Sequence, residues 1–288
     1  MNLTDIDEIR QLLARSGFHF SKSLGQNFLT AAWVPRRIAE EAGLDENTGV
    51  LEVGPGIGCL TAELSERAGR VLAVELDKDL KGVLRETLAG RENVEILFAD
   101  VLRQDLPALV REHFPGLRPV VCANLPYNVT TPLLTAFIEA GCFDTVTVMI
   151  QREVARRICA SPDNGDYGAF SLFVQWHMSC ELLFDVPPSC FIPQPKVTSS
   201  VIRLTRRTEK PCPVSDEELL FRVIRAAFNQ RRKTLPNALS AGLGLPRGEL
   251  EDMLKKCGFD TRIRGEAVDI VGFVKITEEI SQYIQSNL

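Results

Sequence analysis

From about residue 30 to residue 205, short apolar runs alternate with stretches of helical periodicity, and that alternation restricts the fold more than anything else. The runs at 49–53, 71–75, 94–98, 120–124 and 146–150 are nearly continuous in apolar residues. A strand with one face in water would alternate apolar and polar residues, so unbroken runs imply a sheet covered on both faces. The intervening segments at 59–68 and 78–88, with a helix opening after Thr30, supply the cover. The expected class is α/β, a Rossmann-like, mostly parallel sheet flanked by helices. After 150 the pattern changes. Helical stretches near 153–158 and 170–178 lead to β-rich runs at 181–186 and 198–204, read as the last strands with antiparallel pairing at the edge. Lys210-Pro211-Cys212-Pro213 reads as a linker, and the segments at 216–228, 235–241, 247–256 and 268–285 read as helices. The expected division is 1–208, an α/β domain with an N-terminal helical segment, and 209–288, a small all-helical domain.

In a parallel sheet, ligands bind beyond the carboxyl ends of the strands, so the residues that close each run matter most. The first run ends at Gly54-Pro55-Gly56-Ile57-Gly58, where glycines let the backbone approach a ligand; this G-x-G-x-G spacing differs from the dinucleotide fingerprint. Glu75 closes the second run and could accept from both hydroxyls of a ribose. Asp100 follows the third and could accept from an adenine amino group. The fourth ends at Asn124-Leu125-Pro126-Tyr127. There an amide oxygen and a backbone carbonyl could hold the two N–H groups of a planar amine, and a Tyr face could stack on the base. The alternative is an Asn-x-Pro turn with Tyr127 as a rim residue.

The set of strand ends resembles the motifs of class I S-adenosylmethionine-dependent methyltransferases, carried by Leu51-Glu52-Val53-Gly54-Pro55-Gly56, Val74-Glu75-Leu76-Asp77, Ala99-Asp100-Val101 and Asn124-Leu125-Pro126-Tyr127. More narrowly, the chain resembles the bacterial small-subunit (16S) rRNA adenine N6-dimethyltransferases. That resemblance extends to Ser23-Leu24-Gly25-Gln26-Asn27-Phe28-Leu29, to the 191–199 segment containing Pro193-Gln194-Pro195-Lys196, and to 227–235. It implies that Asn27, Leu29, Gly54, Gly56, Glu75, Leu76, Asp100, Val101 and Asn124 contact S-adenosylmethionine, or S-adenosylhomocysteine as product. Asn124, Leu125, Pro126 and Tyr127 would hold the target adenine. Phe191 is a second aromatic contact or a core residue. The implied substrate is two adjacent adenines in the 3′-terminal hairpin of 16S rRNA, each dimethylated within a pre-30S particle.

Composition bears on partners and compartment. The formal net charge of −5 does not advertise a nucleic-acid binder, yet Arg203, Arg206, Arg207, Arg222, Arg225 and Arg231-Arg232-Lys233 gather positive charge around Asp216-Glu217-Glu218. Such a run is a solvated helix face or a phosphate-binding patch. Lys22, Arg206, Arg207, Arg222, Arg225, Arg231, Arg232 and Lys233 are the candidate RNA contacts. The eight cysteines show no C-x-x-C pair and the three histidines are isolated, so no metal site is expected. No apolar run reaches membrane-span length and the N-terminus resembles neither a signal nor a transit peptide, so a cytoplasmic protein is expected, and the absence of an obvious association helix reads as a monomer. A large-subunit rRNA methyltransferase, a DNA adenine methyltransferase and a non-catalytic assembly factor are the competing readings.

Overall fold

The protein is described from a computed structural model covering residues 1–18 and 26–287. In chain order its elements are α1 (Ile6–Arg15), β1 (Phe28–Leu29), α2 (Trp33–Glu41), β2 (Thr48–Val53), α3 (Cys59–Ser65), β3 (Arg70–Glu75), α4 (Lys81–Thr87), β4 (Val94–Phe98), α5 (Leu106–His113), β5 (Arg118–Asn124), α6 (Thr130–Glu139) and β6 (Thr145–Gln151). They continue with α7 (Arg152–Ile158), α8 (Ala169–His177), β7 (Met178–Val186), β8 (Phe191–Ile192), β9 (Ser199–Arg206), α9 (Glu217–Asn229), α10 (Leu235–Leu243), α11 (Arg247–Lys256) and α12 (Ile270–Ser286).

The main sheet has seven strands in the order β4-β3-β2-β5-β6-β9-β7. The first five are parallel neighbours, and β9 runs antiparallel to β6. The central strands are as dry as their composition requires: Val50, Leu51, Val120, Val121, Cys122 and Ala123 are buried. Burying each Val or Leu contributes about 1.5–3 kcal/mol. A separate antiparallel pair joins β1 to β8, with Phe28 opposite Ile192 and Leu29 opposite Phe191. It brings two distant chain segments to one place.

Some helical details differ from expectation. The helix expected over 78–88 begins as a 3-10 turn at Lys78–Leu80, where the Asp77 side chain accepts from Asp79 N. The unanticipated α5 starts at an Asp105 cap that accepts from Ala108 N at 3.0 Å, with Pro107 in its first turn.

The chain divides into two compact units. One is Met1–Ala155 with Glu181–Arg206, and the other is Arg156–Cys180 with Arg207–Leu288. The boundary at Arg206 lies beside the one expected near 208, but the segment 156–180 belongs to the helical unit rather than to the α/β domain. Packing explains the difference. Tyr167, Leu172 and Trp176 share a core with Leu220, Ile224, Leu239, Leu254 and Phe273, and the Tyr167 hydroxyl donates to Val268 O at 3.1 Å. Among the described residues, no helix is long and apolar enough to cross a membrane.

Candidate active site

A cavity of about 290 Å3 opens at the carboxyl ends of β2, β3, β4 and β5, so the turns leaving four strands line one space. Gly54 and Gly56 adopt φ of +70° and +60°, values that favour glycine. At Gly56 space is short as well, since a side-chain carbon there would lie 3.1 Å from the Phe28 ring. Gly54 N donates to Val74 O at 3.0 Å, which ties the turn to the end of β3.

Two buried carboxylates flank that turn. Glu75 is 6% exposed; its Oε1 accepts from Asp77 N at 2.8 Å and its Oε2 from Gly56 N at 3.3 Å. Burial raises its pKa despite these N–H groups, which favour the charged form. Glu52, 1% exposed, is pushed up to about 8 by burial, with the neighbouring Glu75 adding to the rise. The Thr61 hydroxyl opposes that rise, although Glu52 Oε2 and Thr61 Oγ1 both lack a partner in hydrogen-bond geometry. Cys59 also lines the cavity; burial pushes its thiol up to about 12, so it is a neutral group there. Asp100 is less enclosed. Its Oδ1 accepts from Leu102 N at 3.1 Å and its Oδ2 pairs with Arg103 Nε at 3.3 Å. Leu76, which is exposed, and Val101, which is buried, complete this wall.

The opposite wall is the turn after β5. Leu125 N donates to Met149 O at 3.1 Å, which prolongs the β5–β6 ladder past Asn124. Pro126 O accepts from Val129 N at 3.2 Å and from Thr130 Oγ1 at 3.1 Å, and these bonds start a 3-10 turn and α6. Tyr127 is half-buried, and its hydroxyl lies 2.6 Å from Ser199 Oγ. Asn124, Leu125, Pro126 and Tyr127 all line the cavity, as do Asn27 and Leu29 from the N-terminal side.

Phe191 does not join them. It is 2% exposed, pairs with Leu29 and packs with Val34, Ile38, Met149 and Val186, a position in the core. The basic residues also separate into groups. Arg206 donates from Nε to Phe143 O at 2.8 Å, and Arg231 pairs with Glu266 at 2.9 Å. Arg207 is exposed and donates to Gln175 O. Arg222, Arg225, Arg232 and Lys233 are exposed, with no side-chain partner among the described residues. Lys22 lies outside the described residues. Sequence reasoning missed roles for Gln26, whose amide donates to Asp77 Oδ2 at 2.7 Å, for Phe28 against Gly56, and for Ser199. All three stand inside segments that carried the family resemblance, but their partners are too far along the chain for spacing to reveal.

The model of one family, described as ribosomal RNA adenine dimethylase, matches residues 17–282. The chain belongs to this family. Among ribosomal RNA adenine dimethylase relatives, it is 44% identical over 278 residues to the ribosomal RNA small subunit methyltransferase A of Geobacillus thermodenitrificans, covering 94% of each chain. It is 46% identical over 263 residues to the protein of the same name from Alkaliphilus oremlandii, covering 91% of this chain and 92% of that one. Among solved structures, the 23S rRNA methyltransferase ErmE superposes with a TM-score of 0.69 at 29% identity, covering 88% of this chain and all of that one. A dimethyladenosine transferase from Plasmodium falciparum superposes at 0.75 with 22% identity over 88% of this chain and 97% of that one, a likeness of fold.

Proposed function

We infer that the protein is an S-adenosylmethionine-dependent rRNA adenine N6-dimethyltransferase, and we propose that it acts on two adjacent adenines in the 3′-terminal hairpin of 16S rRNA during 30S assembly. The observation that carries this reading is that Asn124–Tyr127 opens onto the same cavity as the Gly54–Gly56 turn, Glu75 and Asp100. The donor's sulfonium carries a methyl group that is already a strong electrophile. The protein's task is therefore alignment and exclusion of water.

The residues present suit that donor. Glu75 retains lone pairs beyond its two backbone bonds for a ribose diol. Asp100 stands one strand further out for an adenine amino group, and the glycine turn leaves room for the methionine portion with Asn27 and Leu29 above it. At the target, Asn124 Oδ1 accepts one N6 proton. Because Pro126 O already holds two donors, the second acceptor is assigned to the Leu125 carbonyl. Tyr127 stacks on the base. N6 gives up its proton readily once it bears the new methyl and a positive charge, so the neutral Cys59 thiol needs no role as base. Arg222, Arg225, Arg232 and Lys233, with Arg207, are the residues assigned to phosphate contact. The protein is taken to act as a cytoplasmic monomer on pre-30S particles.

The test is mass spectrometry of rRNA from a strain lacking the protein. Dimethyladenosine should be missing from the small-subunit 3′ end. Wild-type protein should restore it, and Asn124→Ala should fall short by about 100-fold or more in rate at saturating S-adenosylmethionine. Loss of a large-subunit methylation instead would overturn the assignment.

A further inference from the structure

Given Tyr127 as the base-stacking residue, a reading this inference rests on, we propose that Ser199 is a positioning residue that holds the Tyr127 ring in place, above all for the second methyl transfer. Ser199 is fully buried, and its hydroxyl has one partner among the described residues, the Tyr127 hydroxyl at 2.6 Å. Tyr127 lines the cavity and is only half-buried, so its face stays available while its far end is tied.

Topology explains why a residue 72 positions away does this. A parallel strand would bring its last residue to the carboxyl edge of β5 and β6. The antiparallel β9 brings its first, with Ser199 in register with Gln151 at the end of β6. The next residue faces the other side of the sheet, where Ser200 Oγ donates to Asp185 Oδ1 at 2.5 Å. The two serines are thus used separately.

The bond constrains the ring in a specific way. A Tyr side chain moves about two torsions hinged at its backbone, and fixing the phenolic oxygen removes both motions before the base arrives. If Tyr127 swung out, the buried Ser199 hydroxyl would be left unsatisfied, which opposes the excursion. The demand is greatest in the second transfer. After one methylation N6 keeps a single hydrogen, so only one of the two carbonyl acceptors, Asn124 Oδ1 or Leu125 O, can hold it. Stacking then carries more of the alignment.

Ser199→Ala, Tyr127→Phe and the double variant should be compared in single-turnover methylation of undermethylated 30S particles. Monomethyl- and dimethyladenosine are quantified, and S-adenosylmethionine affinity is measured by calorimetry. Each single variant is expected to slow transfer by about three- to tenfold, the loss of one hydrogen bond. Each should raise the monomethyl share severalfold and leave donor affinity within about twofold. The double variant should be no slower than either single one. If Ser199→Ala does not fold, Tyr127→Phe removes the same bond from the other side and must show the same product shift. Wild-type rate and product ratio in Ser199→Ala, or losses that multiply in the double variant, would overturn the tether while leaving Tyr127 as a stacking residue. Full activity in Tyr127→Ala would remove the stacking reading itself.

Discussion

Glu52 and Glu75 are the two residues most shaped by where β2 and β3 end. Each is a carboxyl buried beside a turn that must also admit a charged ligand, and burial raises both pKa values. The sign for stability follows from linkage. Between its ordinary 4.5 and about 8, Glu52 keeps a proton in the folded protein that the unfolded chain has released. Stability of the ligand-free protein therefore falls as pH rises through that window, and Glu75 acts in the same direction. Glu52→Gln should flatten this fall, giving a melting temperature at pH 8 at least equal to wild type. Calorimetry from about pH 5 to pH 8 checks it, and an unaltered slope would mean that Glu52 ionises freely in the fold.

At the level of elements, the β1–β8 pair fixes the N-terminal side of the cavity, and Phe191 is its buried anchor. Phe191→Ala should cost about 3–5 kcal/mol of stability by denaturant titration, as a large cavity in a packed core does. Phe191→Leu should keep methyl transfer near wild type, whereas an activity loss at unchanged stability would return Phe191 to the base contact. This is also where the sequence stops being legible. The run at 94–98 coincides with β4, and the other sheet strands shift by one to three residues, because an unbroken apolar run is a direct record of burial on two faces. β1 and β8 have two residues each, too few to show any period. The strand-end acids and the Asn124 turn were readable because topology places all strand ends on one edge. For Phe191 two readings stayed open, since an aromatic residue near a site and one in the core look alike until the pairing with Leu29 is known.

For the whole molecule, the net charge of −5 conceals a division of labour among the cations. Arg206 and Arg231 are committed to carbonyls and to Glu266, whereas Arg222, Arg225, Arg232 and Lys233 have no side-chain partner among the described residues. Neutralising those four together should weaken RNA binding. It should also make the plot of log affinity against log salt shallower, by about 0.7–0.9 for each phosphate that is no longer neutralised. Filter binding across about 50–200 mM salt would measure it. An unchanged slope would show these side chains to be solvated and uninvolved. The sequence displayed the cluster but not this division, because the carbonyl of Phe143 and the carboxylate of Glu266 are remote in the chain.

The helical unit draws on the chain twice, and this governs how the protein can be recombined. A version ending at Arg206 would strand Tyr167 and Trp176 without Leu220, Leu254 and Phe273, and a fragment starting at Arg207 would lack the two rings that fill its interior. Hybrids that exchange this unit between relatives therefore require matched joints near 155, 180 and 206. A single splice leaves two halves of one interior drawn from different parents.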